Sequence, residues 1–248
     1  MNERAGSPAA AGDPAYRKLQ RTVLAVSVLL APLSLAVWFS VCPPFGDVSC
    51  PSQGVATIAA FRAMNPLLHQ VFTALSMVAP YAYPVSYIGL GLLAMRGSPW
   101  LATLGTAAGF AGSIPWAWIT AGQAGLTQTF AGLAPSHLFV VIEHQLTANP
   151  VVLFFATAWV LGHLLGYLLL GIALARAHTV PRWAAWSITA SALLMGPIAY
   201  GTGLGALQVA GYGLVLAGSI PAARAILGWT PVRQLPPRAR RTGPPGPD

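Results

Sequence analysis

The chain is 248 residues long, 55% hydrophobic and only 7% charged, with a formal net charge of +8. Soluble proteins carry about 25% charged residues, so this supply cannot clothe a water-facing surface, and a freely soluble domain is excluded. The thirteen basic residues against five acidic ones accompany no nucleic-acid-binding motif, so nucleic acid is not an expected partner.

In chain order, residues 1–20 read as a polar cytoplasmic tail without fixed structure, residues 21–229 as a membrane domain, and residues 230–248, rich in Pro and Arg, as a second such tail. The expected fold is all-α, a polytopic membrane protein with six transmembrane helices. The first apolar block, residues 23–41, is too long for the core of a signal peptide and follows a polar stretch. About twenty residues at ~1.5 Å each cross ~30 Å of hydrocarbon, and five further blocks meet that length: 71–95, 100–121, 151–175, 183–202 and 205–227. Prolines at 32, 80, 84, 115, 197 and 221 fall in every block but the fourth, so kinked helices around one straight helix are expected to leave a central space.

After the first block come the only cysteines, Cys42 and Cys50, in Cys-Pro-Pro-Phe-Gly-Asp-Val-Ser-Cys. An external loop is oxidising, so the spacing predicts a structural disulfide; the Cys-x-x-Cys of redox pairs is absent. Segments 56–64 and 136–148 are too short and polar to span, and read as amphipathic helices on the outer surface. They carry Arg62 and Glu143, an expected interfacial ion pair.

Twelve of the thirteen basic residues fall before the first block, in the turns holding Arg96, Arg176 and Arg182, or near and beyond the end of the sixth. The positive-inside rule therefore puts both termini in the cytoplasm, and the Ala, Gly and Arg bias of the chain suggests a bacterial plasma membrane.

The second and third blocks echo the fourth and fifth. Asn65-Pro66 matches Asn149-Pro150, Leu90-Gly91 with Arg96 matches Leu170-Gly171 with Arg176, and Trp100 and Gly112 match Trp183 and Gly196, at offsets of 80 to 84 residues. This predicts a parallel duplication of a two-helix unit about a pseudo-two-fold axis along the membrane normal. A second echo, Ala111-Gly-Ser-Ile-Pro115 and Ala217-Gly-Ser-Ile-Pro221, has no counterpart in that scheme.

Chemistry-bearing groups are few. His137 and His144 are two turns apart, about 10.5 Å, too far to share an ion, and His69 and His163 differ in depth by about 20 Å, too far for one haem, so no metal or cofactor is expected. No carboxylate lies inside any block, and Ser113 with His163 matches a serine nucleophile and its base only in residue types, since a buried membrane serine more often bonds to a carbonyl one turn back. An enzyme is accordingly the least favoured class.

Tyr83, Ser113, His163 and Tyr212 share one depth, with Tyr87 and Tyr167 a turn further in; together they form the candidate ligand-binding set. His163 is expected to face the bundle interior and to bond through one ring nitrogen to Tyr83, Ser113 or water. Gly105-x-x-x-Gly109 and Gly162-x-x-x-Gly166 read as close-packing faces, within the chain or in a homodimer.

The segment Leu-Gly-Ile-Ala-Leu-Ala-Arg followed by Val180-Pro-Arg-Trp183 resembles hairpins of uncharacterised multi-spanning membrane proteins of bacteria, of the actinobacterial type. That resemblance covers about thirty residues and implies a membrane location without residue roles. A structural or accessory membrane component, with lipids and other membrane proteins as partners, is the first expectation. A small-molecule binder or transporter with a midplane site at His163 is the second, and a membrane-embedded enzyme the third.

Overall fold

The computed structural model describes residues 13–41, 65–132, 141, 145, 148–202 and 204–228. These form six helices and no strand: α1 Pro14–Val41, α2 Pro66–Ala94, α3 Pro99–Gly132, α4 Pro150–Ala177, α5 beginning as Arg182–Leu193, and α6 Gly205–Leu227. Four of them, over Pro14–Ser40, Pro66–Ala94, Pro150–Ala177 and Gly205–Leu227, are long and apolar enough to cross a membrane. Cys42, Cys50, Arg62, Glu143, His137 and His144 lie outside the described residues, as do residues 1–12, residues 229–248 and nearly all of segments 56–64 and 136–148; residues 14–20 of the expected N-terminal tail instead form the first turns of α1.

The helix starts follow from local chemistry. Asn65 and Asn149 each turn a side-chain oxygen onto the backbone N–H two residues on, at 2.9 Å, satisfying one of the donors that a helix start leaves open. Pro66 and Pro150 then occupy the first helical position, where a missing N–H costs nothing. Inside the helices Ser34, Ser86, Ser113 and Ser191 donate to the carbonyl three residues back at 2.6 to 3.0 Å, which satisfies a hydroxyl without water.

The fifth helix departs from a regular α-helix. Pro197 supplies no N–H, and the helix widens into a π-turn over Leu194–Ile198 before resuming as Ala199–Thr202. The Ala199 N–H reaches back five residues to the Leu194 carbonyl. The Met195 carbonyl, which that N–H would serve in an α-helix, instead accepts from Gln208 Nε2 of α6 at 2.8 Å. A proline kink is thereby absorbed by a neighbouring helix, as membrane helices allow.

Each helix packs on the next, and α6 returns to α1, closing a ring in which α2 also reaches α4 and α6 across the middle. Glycines set the approach, and their contacts make successive helices antiparallel. A Cβ on Gly112 of α3 would lie 2.9 Å from the Gly162 Cα of α4, and one on Gly105 would lie 2.9 Å from Leu170 Cγ. Gly211 of α6 abuts Met195 of α5, and Gly218 abuts Ala184 and Ile188. The two Gly-x-x-x-Gly faces thus meet one another within the chain, since Gly166 touches the Gly109 backbone as well.

The outward faces are apolar. Leu33, Tyr81, Phe110, Phe154, Leu161 and Ile220 are among the large side chains left exposed, a surface water does not favour and lipid does. The described cations gather at one end of the ring, where Trp100, Trp183 and Trp186 are also exposed in the manner of an interfacial aromatic belt. At that end Gly97, in the turn between α2 and α3, abuts Arg176 and Ala177 where α4 finishes.

Candidate functional site

One face of α4 carries Trp159, His163 and Tyr167, spaced four residues apart and therefore stacked along the helix. That face looks into the ring. Tyr83 and Tyr87 arrive from α2 with the same spacing, and Tyr212 arrives from α6. All six side chains are buried.

His163 sits at the centre. Its ring centroid is 4.3 Å from Trp159, 4.8 Å from Tyr167, 5.2 Å from Tyr83, 5.7 Å from Tyr212 and 6.2 Å from Tyr87. These are the separations of packed aromatic rings. Nδ1 is 2.7 Å from the Tyr87 hydroxyl and Nε2 is 3.2 Å from that of Tyr212. An imidazole with one ring proton donates through one nitrogen and accepts through the other, so one tyrosine accepts and the other donates. The histidine thus joins α2, α4 and α6 through two hydrogen bonds and a cluster of ring contacts. Phe39 of α1 stacks on Tyr212 at 5.5 Å and 14°, bringing in a fourth helix.

Two hydroxyls are left over. Those of Tyr83 and Tyr167 are enclosed and lie beside one another, with the Tyr87 hydroxyl also beside that of Tyr167, but neither pair meets full hydrogen-bond geometry. A buried hydroxyl without a partner costs about 1 to 3 kcal/mol, so these are the least settled atoms of the cluster.

Five of the six expected site residues, Tyr83, Tyr87, His163, Tyr167 and Tyr212, come together. The sixth, Ser113, is also buried, but its hydroxyl donates to the Phe110 carbonyl of its own helix at 2.7 Å. The expected partners of His163 are corrected in the same way. Tyr83 lies against the imidazole as a ring, while Tyr87, one turn on, supplies the hydroxyl, and both ring nitrogens are engaged rather than one. At the depth of His163, where a central space was expected, the described side chains of this cluster occupy the middle of the ring.

Trp159, Phe39 and Gln208 were not singled out from the sequence. Trp159 was legible as the residue one turn before His163. Gln208 was legible as the only side-chain amide in any of the six apolar blocks.

Asp13, ahead of α1, is the only carboxylate among the described residues, so none of these sets an acid against the imidazole. No group of three His, Cys, Asp or Glu that could hold a metal occurs among the described residues either. Comparison with family models, with curated proteins and with solved structures finds no match to this chain.

Proposed function

We propose that the chain is a six-span integral membrane protein of the bacterial plasma membrane, with both termini in the cytoplasm, that serves as a structural or accessory component. The observation that carries this reading is the closure of the His163 cluster. Both imidazole nitrogens are used and five rings cover the histidine, which itself is 3% exposed. A carrier's midplane site needs room for its cargo; here the same depth is occupied by side chains holding helices together. A component of this kind acts through its apolar outer surface, on lipid or on another membrane protein.

Support for six spans comes from α3 and α5. The former runs for 34 residues, and the latter is helical without interruption from residue 182 to 202 once its π-turn is included. Support for the cytoplasmic termini comes from the described cations, which share one end of the ring. Support for a duplication comes from matching contacts. Gly91 abuts Thr106 and Gly171 abuts Thr189, while Tyr87 and Tyr167, eighty residues apart, face each other at 5.3 Å. The packing departs from a two-fold axis on the outside, because α3 lies on α4 whereas α5 lies on α6. On this reading the two units diverged after duplication to let α1 and α6 close the ring.

A small-molecule binder is the second reading, favoured by the unpartnered hydroxyls of Tyr83 and Tyr167 beside His163. Native mass measurement of the protein released from detergent separates the two. The structural reading expects the 25.8 kDa chain with phospholipid adducts only. A small molecule retained by the wild type and lost from His163→Phe would overturn it in favour of a binder.

A further inference from the structure

The start of α1 and the end of α6 enclose a groove of about 380 Å³ lined by Pro14, Arg17, Lys18, Arg21, Thr22 and Leu227. Arg17 and Arg21 are half-buried and stand one turn apart on α1, with Lys18 beside them. Like charges at that spacing repel, and cations near a helix start oppose its dipole; the first turn of α1 itself contains no acid, so Asp13 just ahead of it is the one described carboxylate set against them. Asp13 is committed to the helix start, where Oδ1 accepts the Ala15 N–H at 2.9 Å. Among the described residues, no carboxylate lines the groove. Three cations in the lining against the single carboxylate of Asp13 leave the groove net positive and suited to an anion.

The position of the groove identifies the class of anion. The cations end at Arg21, and the candidate span of α1 runs on without charge to Ser40. Leu227 closes the groove on the α6 side. An anionic headgroup at the interface with an acyl chain below meets both halves of this lining, whereas a free phosphate would use only the cations. Guanidinium groups match phosphate oxygens in a planar, two-bond geometry. We infer that this groove binds the phosphate of an anionic phospholipid headgroup, an inference resting on the membrane reading above.

The test is native mass spectrometry of the full chain in detergent, offered phosphatidylglycerol and phosphatidylcholine with the same acyl chains. The wild type is expected to retain phosphatidylglycerol about tenfold over phosphatidylcholine, as two to three cations at a membrane surface allow. In Arg17→Gln/Arg21→Gln that preference should fall to about twofold or less. Arg182→Gln, at the same end but outside the groove, should keep it. Millimolar inorganic phosphate should not displace the lipid. Equal retention of the two lipids, a preference surviving the double variant, or one lost equally in Arg182→Gln would overturn the groove. Displacement by inorganic phosphate would overturn the lipid as its ligand. Failure to retain any phospholipid would count against the membrane reading instead. Should the double variant fail to insert, Arg17→Gln alone, read by the same preference, decides.

Discussion

Gly162→Ala is the sharpest probe of how the ring is held. The added Cβ would lie 2.6 Å from the Ala108 carbonyl oxygen, 2.8 Å from the Gly112 Cα and 3.1 Å from the Gly112 nitrogen. All three are backbone atoms, so no side chain can swing aside. Restoring ordinary contact near 3.5 Å requires α3 and α4 to part by roughly 0.6 to 0.9 Å, a gap that forfeits a quarter to a half of the dispersion energy along the seam. Overpacking of this kind costs about 1 to 3 kcal/mol. A Gly to Ala change in a helix also gains up to ~1 kcal/mol of propensity, which Gly213→Ala isolates because nothing lies within 4 Å of its added Cβ. Unfolding free energies of the two variants, measured in one detergent by denaturant titration, should therefore differ by about 1 to 3 kcal/mol with Gly162→Ala the less stable. Equal stabilities would refute the close approach of α3 and α4 at this point.

Gln208→Leu should cost about 0.6 to 1.7 kcal/mol in the same assay, the range of hydrogen bonds between membrane helices, by stripping the Met195 carbonyl of its donor; no loss would mean that the π-turn needs no partner. Alkylation of intact cells should label neither Cys42 nor Cys50 until reductant is added, and removing their disulfide should cost about 2 to 3 kcal/mol without altering helix insertion; labelling without reductant would overturn the bond. Reporter fusions after Arg96, Arg176 and Arg233 should read cytoplasmic and those near Asp47 and Glu143 external; an external C-terminus would mean an odd number of spans.

The architecture was legible because the bilayer imposes a coarse rule: apolar blocks of the right length, separated by charge, have one economical reading. The site was legible in part for the same reason. A lone histidine in an apolar block must find polar company, and tyrosines at equal depth are the nearest supply. What depth could not give was azimuth. Ser113 shares the level of His163 but points its hydroxyl into its own helix, and Tyr83 presents a ring face where a hydroxyl was expected. Rotation about a helix axis is set by packing, and nearly uniform apolar sequences carry little periodic signal to reveal it. The glycines filled that gap only in hindsight. The Gly of each Ala-Gly-Ser-Ile-Pro segment, Gly112 and Gly218, proves to sit at a helix crossing, which accounts for an echo that the expected duplication did not explain. The π-turn was announced by Gly196-Pro197, and its remedy by Gln208, but only the fold brings residues thirteen apart to one bond.

The central claim is that His163 acts as a filled structural junction between α2, α4 and α6. A double-mutant cycle between Tyr87→Phe and His163→Phe tests it most directly, because it isolates the 2.7 Å bond from the loss of either side chain alone. The unfolding free energies should show a coupling of about 0.6 to 1.7 kcal/mol. Additivity to within ~0.3 kcal/mol would mean that the hydroxyl and the imidazole do not meet, and would contradict the account.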